Sequence, residues 1–403
     1  MTWRGKNKTE GMSDLFEKLS SKAVQDFINK NLKTDVSKLI LKGSPFPDLS
    51  VKIIATQVES KNRSEKKLPT WFKTNGIIYP AKLNLEQSSS EITAKYKASL
   101  VNNGSLIDLT GGFGVDDYYF AQKATSIIYC EINEELSAIV KHNFDILGIK
   151  NVTASAGDSH QLLKKSQGFD VIYIDPSRRA NSGRVFLLKD CEPDVLENRI
   201  TYLHKAKRVI IKAAPMLDIQ SAIKDLKQVA EVHVVSVKNE CKELLFILEQ
   251  KAVAEPMIHC AVLNGTETKV ISFSYSEEKN TKSNAGKVLN YLYEPDASLL
   301  KAGMFKLLTE KYPVSKVHQH SHLYTSNELI DFPGKRFKIV KTILFNDFTK
   351  AQVPKQINVV CRNFDLKPDE LKKRLKLNDG GSDFLFFTTN YKEQKIVIHA
   401  QKV

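Results

Sequence analysis

The chain has 403 residues, 42% hydrophobic and 26% charged, enough for two to four packed domains at roughly 150 residues each. With only 18 Gly and 13 Pro it is neither disordered throughout nor fibrous, and no apolar run approaches the roughly 18 residues of a membrane-spanning helix. The net charge of +14 is unevenly held: residues 1–70 balance at +6, residues 331–403 at +7, and the long centre is nearly neutral.

Leu15, Phe16, Leu19, Val24, Phe27 and Ile28 recur at helical spacing over 12–31, and a second helix is expected at about 50–60. A basic break at 61–67 then closes a small helical domain, 1–70, with Pro69 and Trp71 opening the next segment. A serine cluster followed by Glu91 is similar to a capping box and starts a helix over 86–101. From 105 the pattern changes to short apolar runs alternating with helices. Strands are expected at 105–109, 126–131, 151–158, 169–176 and 208–215, with helices around 115–123 and 133–147 and a closing strand pair at 231–237 and 242–248. Continuous apolar strands separated by helices predict a largely parallel sheet covered on both faces, here a domain over 71–252. Residues 253–330 form a small α+β domain with one strand, a helix near 297–310 and a turn holding His318, His320 and His322. In the basic end, 331–403, strands are expected at 336–345 and 357–363, and a hairpin joins 383–389 to 395–400. Between them Pro368 opens a helix with acids in its first turn and Lys372, Lys373 and Arg374 toward its end, as the helix dipole favours.

The five cysteines are scattered and form no CxxC pair, so neither a disulfide framework nor a zinc module is indicated. The N-terminus has charge but no apolar leader core, and Met12 stands as an alternative start to Met1. A reduced, cytoplasmic protein is therefore expected. Basic ends around a neutral centre suit a polyanion, because each neutralised phosphate releases counterions; a lysine-rich solubilising surface is the plainer alternative. No long basic amphipathic helix marks a membrane surface.

The residues that carry chemistry sit at strand ends. In DLTGGFG (108–114), Gly111, Gly112 and Gly114 let the backbone turn sharply and approach a ligand where a Cβ would clash. Taken alone, this is as easily a tight strand–helix turn. Glu131 ends the second strand 20 positions after Gly111, where a carboxylate can accept both hydroxyls of a ribose. Asp158 ends the third strand, placed to accept from an adenine amine, and Asp175-Pro176 ends the fourth. Four strand ends thus bring acids to one rim, where open α/β sheets bind their ligands. The loop is not G-x-G-x-x-G, and no Gly-Lys-Ser/Thr follows it. A sulfonium nucleoside suits the set better than a dinucleotide or a triphosphate: it has no phosphate to cradle, and the acids face ribose, adenine and positive charge.

DLTGGFG, YCE, HNFDILGIKNVTASAGD (142–158) and IDPSRR resemble successive motifs of class I S-adenosylmethionine (SAM)-dependent methyltransferases, in the style of trimethylguanosine synthase and the rRNA guanine exocyclic-amine methyltransferases. Over about 50–403 the chain resembles a bacterial family of such enzymes with a C-terminal THUMP-like domain. The resemblance lies in KLPTW (67–71), GIIYP (76–80), EQSSSE (86–91), DLTGGFGVD (108–116), YLYEPDASLLKAG (291–303) and CRNFDLKPDELKKRLKLNDGG (361–381). It implies an α/β protein: a Rossmann-like seven-stranded methyltransferase core, an N-terminal helical domain, a ferredoxin-like α+β domain over 253–330 and a basic THUMP-like α+β domain over 331–403. It also implies SAM as cofactor, released as S-adenosyl-L-homocysteine. Asp108, Thr110, Gly111, Gly112 and Gly114 would hold the methionine moiety, Glu131 and Ile132 the ribose, and Asp158 and Ser159 the adenine. Glu91 and Thr93 lie on the helix that would fold over the cofactor. Asp175, Pro176, Ser177 and Arg178 would form the catalytic strand end. Relatives acting on exocyclic amines carry Asn/Asp-Pro-Pro and then an aromatic, whereas this chain has Asp-Pro-Ser-Arg-Arg, so Arg178 and Arg179 would grip phosphate or stack in its place.

The function so implied is methyl transfer from SAM to RNA, on a base nitrogen of rRNA or tRNA. A protein or small-molecule methyltransferase and a non-catalytic RNA-binding protein that retains a SAM pocket are the alternatives. No metal and no membrane are expected. His318, His320 and His322 read as a solvated turn, and Cys191 as an ordinary thiol. Tyr96 and Lys97 fit substrate contact and a packed helix face equally well.

Overall fold

The chain folds as two units, Met1–Ala230 with Leu245–Ala252 and Glu231–Leu244 with Val253–Val403, and the computed structural model describes residues 8–178, 188–251, 253–349 and 353–403. Among the described residues no helix is long and apolar enough to cross a membrane.

In the first unit the apolar runs become β1 (Ser105–Asp108), β2 (Ser126–Glu131), β3 (Val152–Ala156) and β4 (Phe169–Ile174). Two short segments, β5 (Ser177–Arg178) and β6 (Cys191–Glu192), pair with each other, and β7 (Ala206–Ala213) follows. The order β3-β2-β1-β4-β7 is parallel throughout, so the direction of winding reverses at β1, the point where such sheets leave a crevice. The unit boundary falls inside β8 (Val229–Val237) and β9 (Glu240–Glu249), and Leu245–Glu249 extends the first unit's sheet beyond β7.

The helices of this unit run from α1 (Lys8–Ser20) and α2 (Lys22–Lys30) through α3 (Val36–Lys42), α4 (Val51–Lys67), α5 (Pro69–Lys73), α6 (Lys82–Gln87) and α7 (Glu91–Ala98). Then come α8 (Val115–Phe120), α9 (Glu134–Ile146), α10 (Ser159–Lys165), α11 (Val195–Lys205) and α12 (Ile219–Leu226). The expected helix over 12–31 is interrupted at Ser21, whose hydroxyl donates to the Lys18 carbonyl. The helix expected at about 50–60 continues through the basic stretch instead of stopping there. Lys61 is 2% exposed and lays its stem inward, its ammonium 6.0 Å from the Phe72 ring centroid. Phe16, Leu19, Ile28, Ile54 and Val58 share one apolar core with Ile127, Tyr129 and Phe144, so the N-terminal helices pack as part of the sheet's cover.

In the second unit β10 (Met257–Asn264) runs parallel to β8 and turns through Gly265 into the antiparallel β11 (Glu267–Phe273). A single strand was expected after 269. A seven-stranded sheet follows, ordered β13-β14-β12-β15-β18-β17-β16. Its strands are β12 (Tyr291–Pro295), β13 (Ser315–Lys316), β14 (Tyr324–Ser326), β15 (Gly334–Leu344), β16 (Asn358–Arg362), β17 (Asp383–Thr389) and β18 (Lys395–Lys402). Its helices are α13 (Tyr275–Asn280), α14 (Ala297–Ala302), α15 (Leu308–Lys311) and α16 (Pro368–Leu375). The helix expected near 297–310 is split because Gly303, at φ +81°, caps α14 in the left-handed region.

Candidate active site

At the C-terminal ends of β1, β2, β3, β4 and β7 the first unit opens into a cavity of about 680 Å³. Sterics shape the turn after β1. A Cβ on Gly111 would lie 2.1 Å from the Tyr129 ring, and one on Gly114, at φ +70°, 2.7 Å from Val140. Tyr129 fills the space so left and donates its hydroxyl to the Gly112 carbonyl at 2.6 Å. The loop thereby closes on β2. The Gly112 N–H donates to Glu131 Oε2 at 3.0 Å, and the Asn133 N–H donates to Oε1 at 2.8 Å. Each carboxylate oxygen is fixed by one backbone donor and keeps acceptor capacity for a vicinal diol. At the end of β3, Asp158 caps α10 by accepting from the His160 N–H at 2.8 Å, which holds its carboxyl below the ordinary range.

Three further acids lie beside the loop. Asp108, Asp116 and Asp117 are 1%, 8% and 0% exposed. Asp108 accepts from the Thr110 N–H at 2.7 Å and from its hydroxyl at 3.1 Å, while that hydroxyl accepts from the Asp175 N–H at 2.7 Å. The ends of β1 and β4 are tied together through this one threonine. Burial, and then the Asp116 charge, push Asp108 up to about 8. Burial, and then the Asp108 and Asp116 charges, raise Asp117 well above the carboxylate range, so it faces Asp108 as a carboxylic acid. Asp116 is balanced differently. Lys97, fully buried on α7, places Nζ 3.1 Å from Oδ1 and donates to Ser89 Oγ at 2.7 Å. The hydroxyls of Ser89 and Tyr173 each donate to Oδ2 at 2.9 Å. At the end of β7, Lys212 pairs with Asp175 at 2.5 Å.

The cavity is lined by Asp108, Thr110, Gly111, Gly112, Gly114, Glu131, Ile132, Asp158, Ser159, Asp175 and Ser177 among the residues expected from sequence. Pro176 is buried behind that wall and does not line it. The side chain of Arg178, and Arg179 altogether, lie outside the described residues. Glu91 and Thr93 do not line the cavity either. Glu91 accepts from the backbone N–H of Thr70, from its hydroxyl at 2.9 Å and from the Tyr119 hydroxyl at 2.7 Å, and Thr93 bonds to Ser90 at the start of α7. Lys212 and Asp116 escaped the sequence reading as site residues. A lone lysine at the rim end of the apolar run RVIIK was the signal available for the first. Cys191 is fully buried. The three histidines diverge: His318 is buried, bonding Glu393 at 2.8 Å and Asn363 at 2.9 Å, His320 is exposed, and His322 stacks on Phe305 at 3.8 Å. His318 is thus a packed group and not a solvated one.

Two family models match the second unit, one of a ferredoxin-like domain over 291–333 and one described as THUMP domain-like over 334–402. An uncharacterized SAM-dependent methyltransferase of Mycobacterium tuberculosis H37Rv is 21% identical over 298 residues, 73% of this chain and 79% of that protein. An uncharacterized RNA methyltransferase of Oceanobacillus iheyensis is 32% identical over 117 residues, 28% of this chain and 23% of its own length. The crystal structure of a protein from Porphyromonas gingivalis W83, described as a candidate methyltransferase, superposes with a TM-score of 0.84 at 32% identity, covering 94% of this chain and 98% of that one.

The buried ion pair yields a prediction about stability. Lys97→Met leaves Asp116 as an unpaired charge out of water, so it is expected to lower the unfolding free energy by about 3–5 kcal/mol in urea denaturation of the full chain. Adding Asp116→Asn to it should restore part of that loss. A single variant as stable as the parent would show that the pair bears no load.

Proposed function

We infer the substrate from one premise: the chain belongs to the class I SAM-dependent methyltransferases that carry a C-terminal THUMP-like domain. It is a methyltransferase with SAM as cofactor, and we propose RNA as its acceptor, at a base nitrogen of rRNA or tRNA. The observation that carries this reading is the THUMP-like match on 334–402, the stretch that holds the chain's C-terminal excess of positive charge. Lys338, Lys341, Lys373, Arg374, Lys376 and Lys392 are exposed there, as contacts to a phosphate backbone require. The Oceanobacillus iheyensis relative, named an RNA methyltransferase, supports it over a shorter stretch.

The cavity's donor set fits the cofactor. Its glycine loop carries no basic side chain for a phosphate, Glu131 and Asp158 present acceptors to hydroxyl and amine donors, and Asp108 offers a carboxyl to positive charge. Glu131 is accordingly assigned to the ribose, Asp158 with Ser159 to the adenine, and Asp108 with the 110–114 loop to the methionine moiety. When bound, SAM supplies an electrophilic methyl on a sulfonium. Asp175, with the backbone carbonyls at 176–177, accepts the protons of the attacking amine and aligns its lone pair, and the proton lost on methylation leaves toward that carboxylate. Lys212 acts as a positioning residue, fixing Asp175 through Oδ2. The Thr110 hydroxyl, accepting from the Asp175 N–H, sets the height of the same group above β4.

Calorimetry tests the cofactor placement. Glu131→Ala should weaken SAM by about 1–3 kcal/mol, and an unchanged Kd in a folded variant would move the ribose elsewhere. Asp108, raised to about 8, is largely protonated at pH 7. A cation brought against it favours the carboxylate, so SAM binding should release protons at pH 7. Affinity should rise with pH up to about 8 and level off above. Titrations in buffers of different ionisation enthalpy read this directly, and Asp108→Asn should abolish it.

Asp175→Ala should lower kcat by roughly 100-fold or more while SAM affinity stays within about twofold. Lys212→Met should shift kcat less, with its pH profile displaced. Equal loss of turnover and SAM affinity in Asp175→Ala would make that acid structural.

The acceptor itself is tested by tritiated methyl transfer from SAM into total RNA from a strain lacking the gene. The expected result is label in RNA that nuclease removes and that RNA from the parent strain does not take up. Label confined to protein, or none despite SAM binding, would overturn the RNA reading.

A further inference from the structure

Glu231 and His233 are two residues apart on β8, which puts them on one face of the strand. His259 lies on β10 directly opposite His233 in a parallel register. The two imidazoles stack with centroids 4.6 Å apart and planes 20° from parallel. The Glu231 Oε2 atom lies 3.0 Å from His233 Nε2 and 3.8 Å from His259 Nε2, and a ligand atom from each of the three residues falls within 4.8 Å of the others. His259 Nδ1 is bonded to the Ser272 hydroxyl at 2.7 Å, and Ser272 is its partner in the antiparallel register of β11. That contact anchors the ring through its remote nitrogen and turns Nε2 toward Glu231, which is how a supporting hydrogen bond orients a metal-binding histidine.

One carboxylate shared between two stacked imidazoles meets only one of them at hydrogen-bonding distance. A divalent cation would satisfy both. Zinc takes imidazole nitrogen and carboxylate oxygen at about 2.0–2.2 Å in tetrahedral geometry, which sets neighbouring ligand atoms roughly 3.3 Å apart. The two glutamate–histidine distances, 3.0 and 3.8 Å, lie on either side of that value, and the two histidine ligand atoms are within 4.8 Å of each other. The His233 side chain is 5% exposed, that of His259 19% and that of Glu231 31%, so the cluster opens to solvent on the glutamate's side.

We propose that Glu231, His233 and His259 form a binding site for a zinc-class divalent cation, with Ser272 as the supporting partner of His259. The two-imidazole, one-carboxylate set selects a borderline ion over calcium or magnesium. Its span across β8 and β10 makes it a clip between neighbouring parallel strands of the second unit. The site is independent of the methyl-transfer reading and departs from the sequence-based expectation that no metal is held. No spacing motif announces it, because its ligands come from strands 26 residues apart between His233 and His259.

The test uses the full-length chain without an affinity tag, stripped by chelator and titrated with zinc chloride by calorimetry and with cobalt(II) by visible absorption. One equivalent per chain is expected, with a rise in Tm. His233→Gln and His259→Gln should each weaken it by more than the roughly 10–100-fold expected when a supporting hydrogen bond is lost, and Ser272→Ala should fall within that range. If the histidine variants fail to fold, Glu231→Gln and Ser272→Ala carry the test on the exposed side of the cluster. No binding by the parent chain overturns the proposal. So does an equivalent that persists in both histidine variants or disappears with His318→Gln.

Discussion

Lys97 is fully buried with its ammonium against Asp116, and much of the cavity's architecture follows from that contact. Removing an ion from water costs several kcal/mol even after relaxation, so a pocket that lines one end of a sheet with carboxylates must neutralise each one it buries. Asp116 is answered by Lys97 and by the hydroxyls of Ser89 and Tyr173. Those partners come from the segment before α7, from α7 itself and from β4, so the same contacts that satisfy the charge hold the segment over the glycine loop. Glu91, in the first turn of that helix, bonds instead to Thr70 and Tyr119. The helix is therefore clamped on two sides by buried acids with opposite neighbours.

The same side-chain type serves different ends because its surroundings differ. Asp117 is fully buried and stays protonated, Asp108 has two donors from Thr110 and an acid beside it, and Asp116 has a cation. Glu131 and Asp158 are nearer the surface, and each is held by backbone N–H groups that fix an oxygen without consuming all its acceptor capacity. Hydrogen bonding to the ionised form holds Asp158 below the ordinary carboxylate range, whereas burial raises Asp108 and Asp117 above it.

Strand-end acids were legible in the sequence because the motifs that place them are local: a parallel strand buried on both faces reads as an unbroken apolar run, and the residue that ends it lands on the rim. Glu131 and Asp175 were found this way, whereas Asp158 follows the polar, half-exposed VTASA of β3. Lys97 was not assignable, since its meaning depends on Asp116 arriving from another helix. The basic stretch 61–67 reads as a helix terminator because Lys is normally solvated, but Lys61 is buried with its ammonium over the Phe72 ring and the helix runs on. Glu91 matched the spacing of a capping acid, whereas the hydroxyl of Ser90 caps α7 and the carboxylate reaches elsewhere. The hairpin of β10 and β11 does carry a local signal, the Asn264-Gly265 pair at its two-residue turn, which the single strand expected after 269 leaves unused.

An acid-lined pocket poses a difficulty for an enzyme proposed to act on RNA, since a phosphate-bearing acceptor is repelled by the same carboxylates that would attract a sulfonium. The pairings in the structure answer it. Asp116 is matched by Lys97, Asp117 holds its proton, and Asp175, which in the proposed mechanism meets the acceptor, is matched by Lys212. The carboxylates left with open acceptor capacity are those at the ends of β2 and β3, the positions assigned to the ribose and adenine. Negative charge is thus retained where a neutral sugar and base need acceptors and cancelled at the end of β4. That division, and not the number of acids, is what allows one rim to serve a cationic donor and an anionic acceptor together.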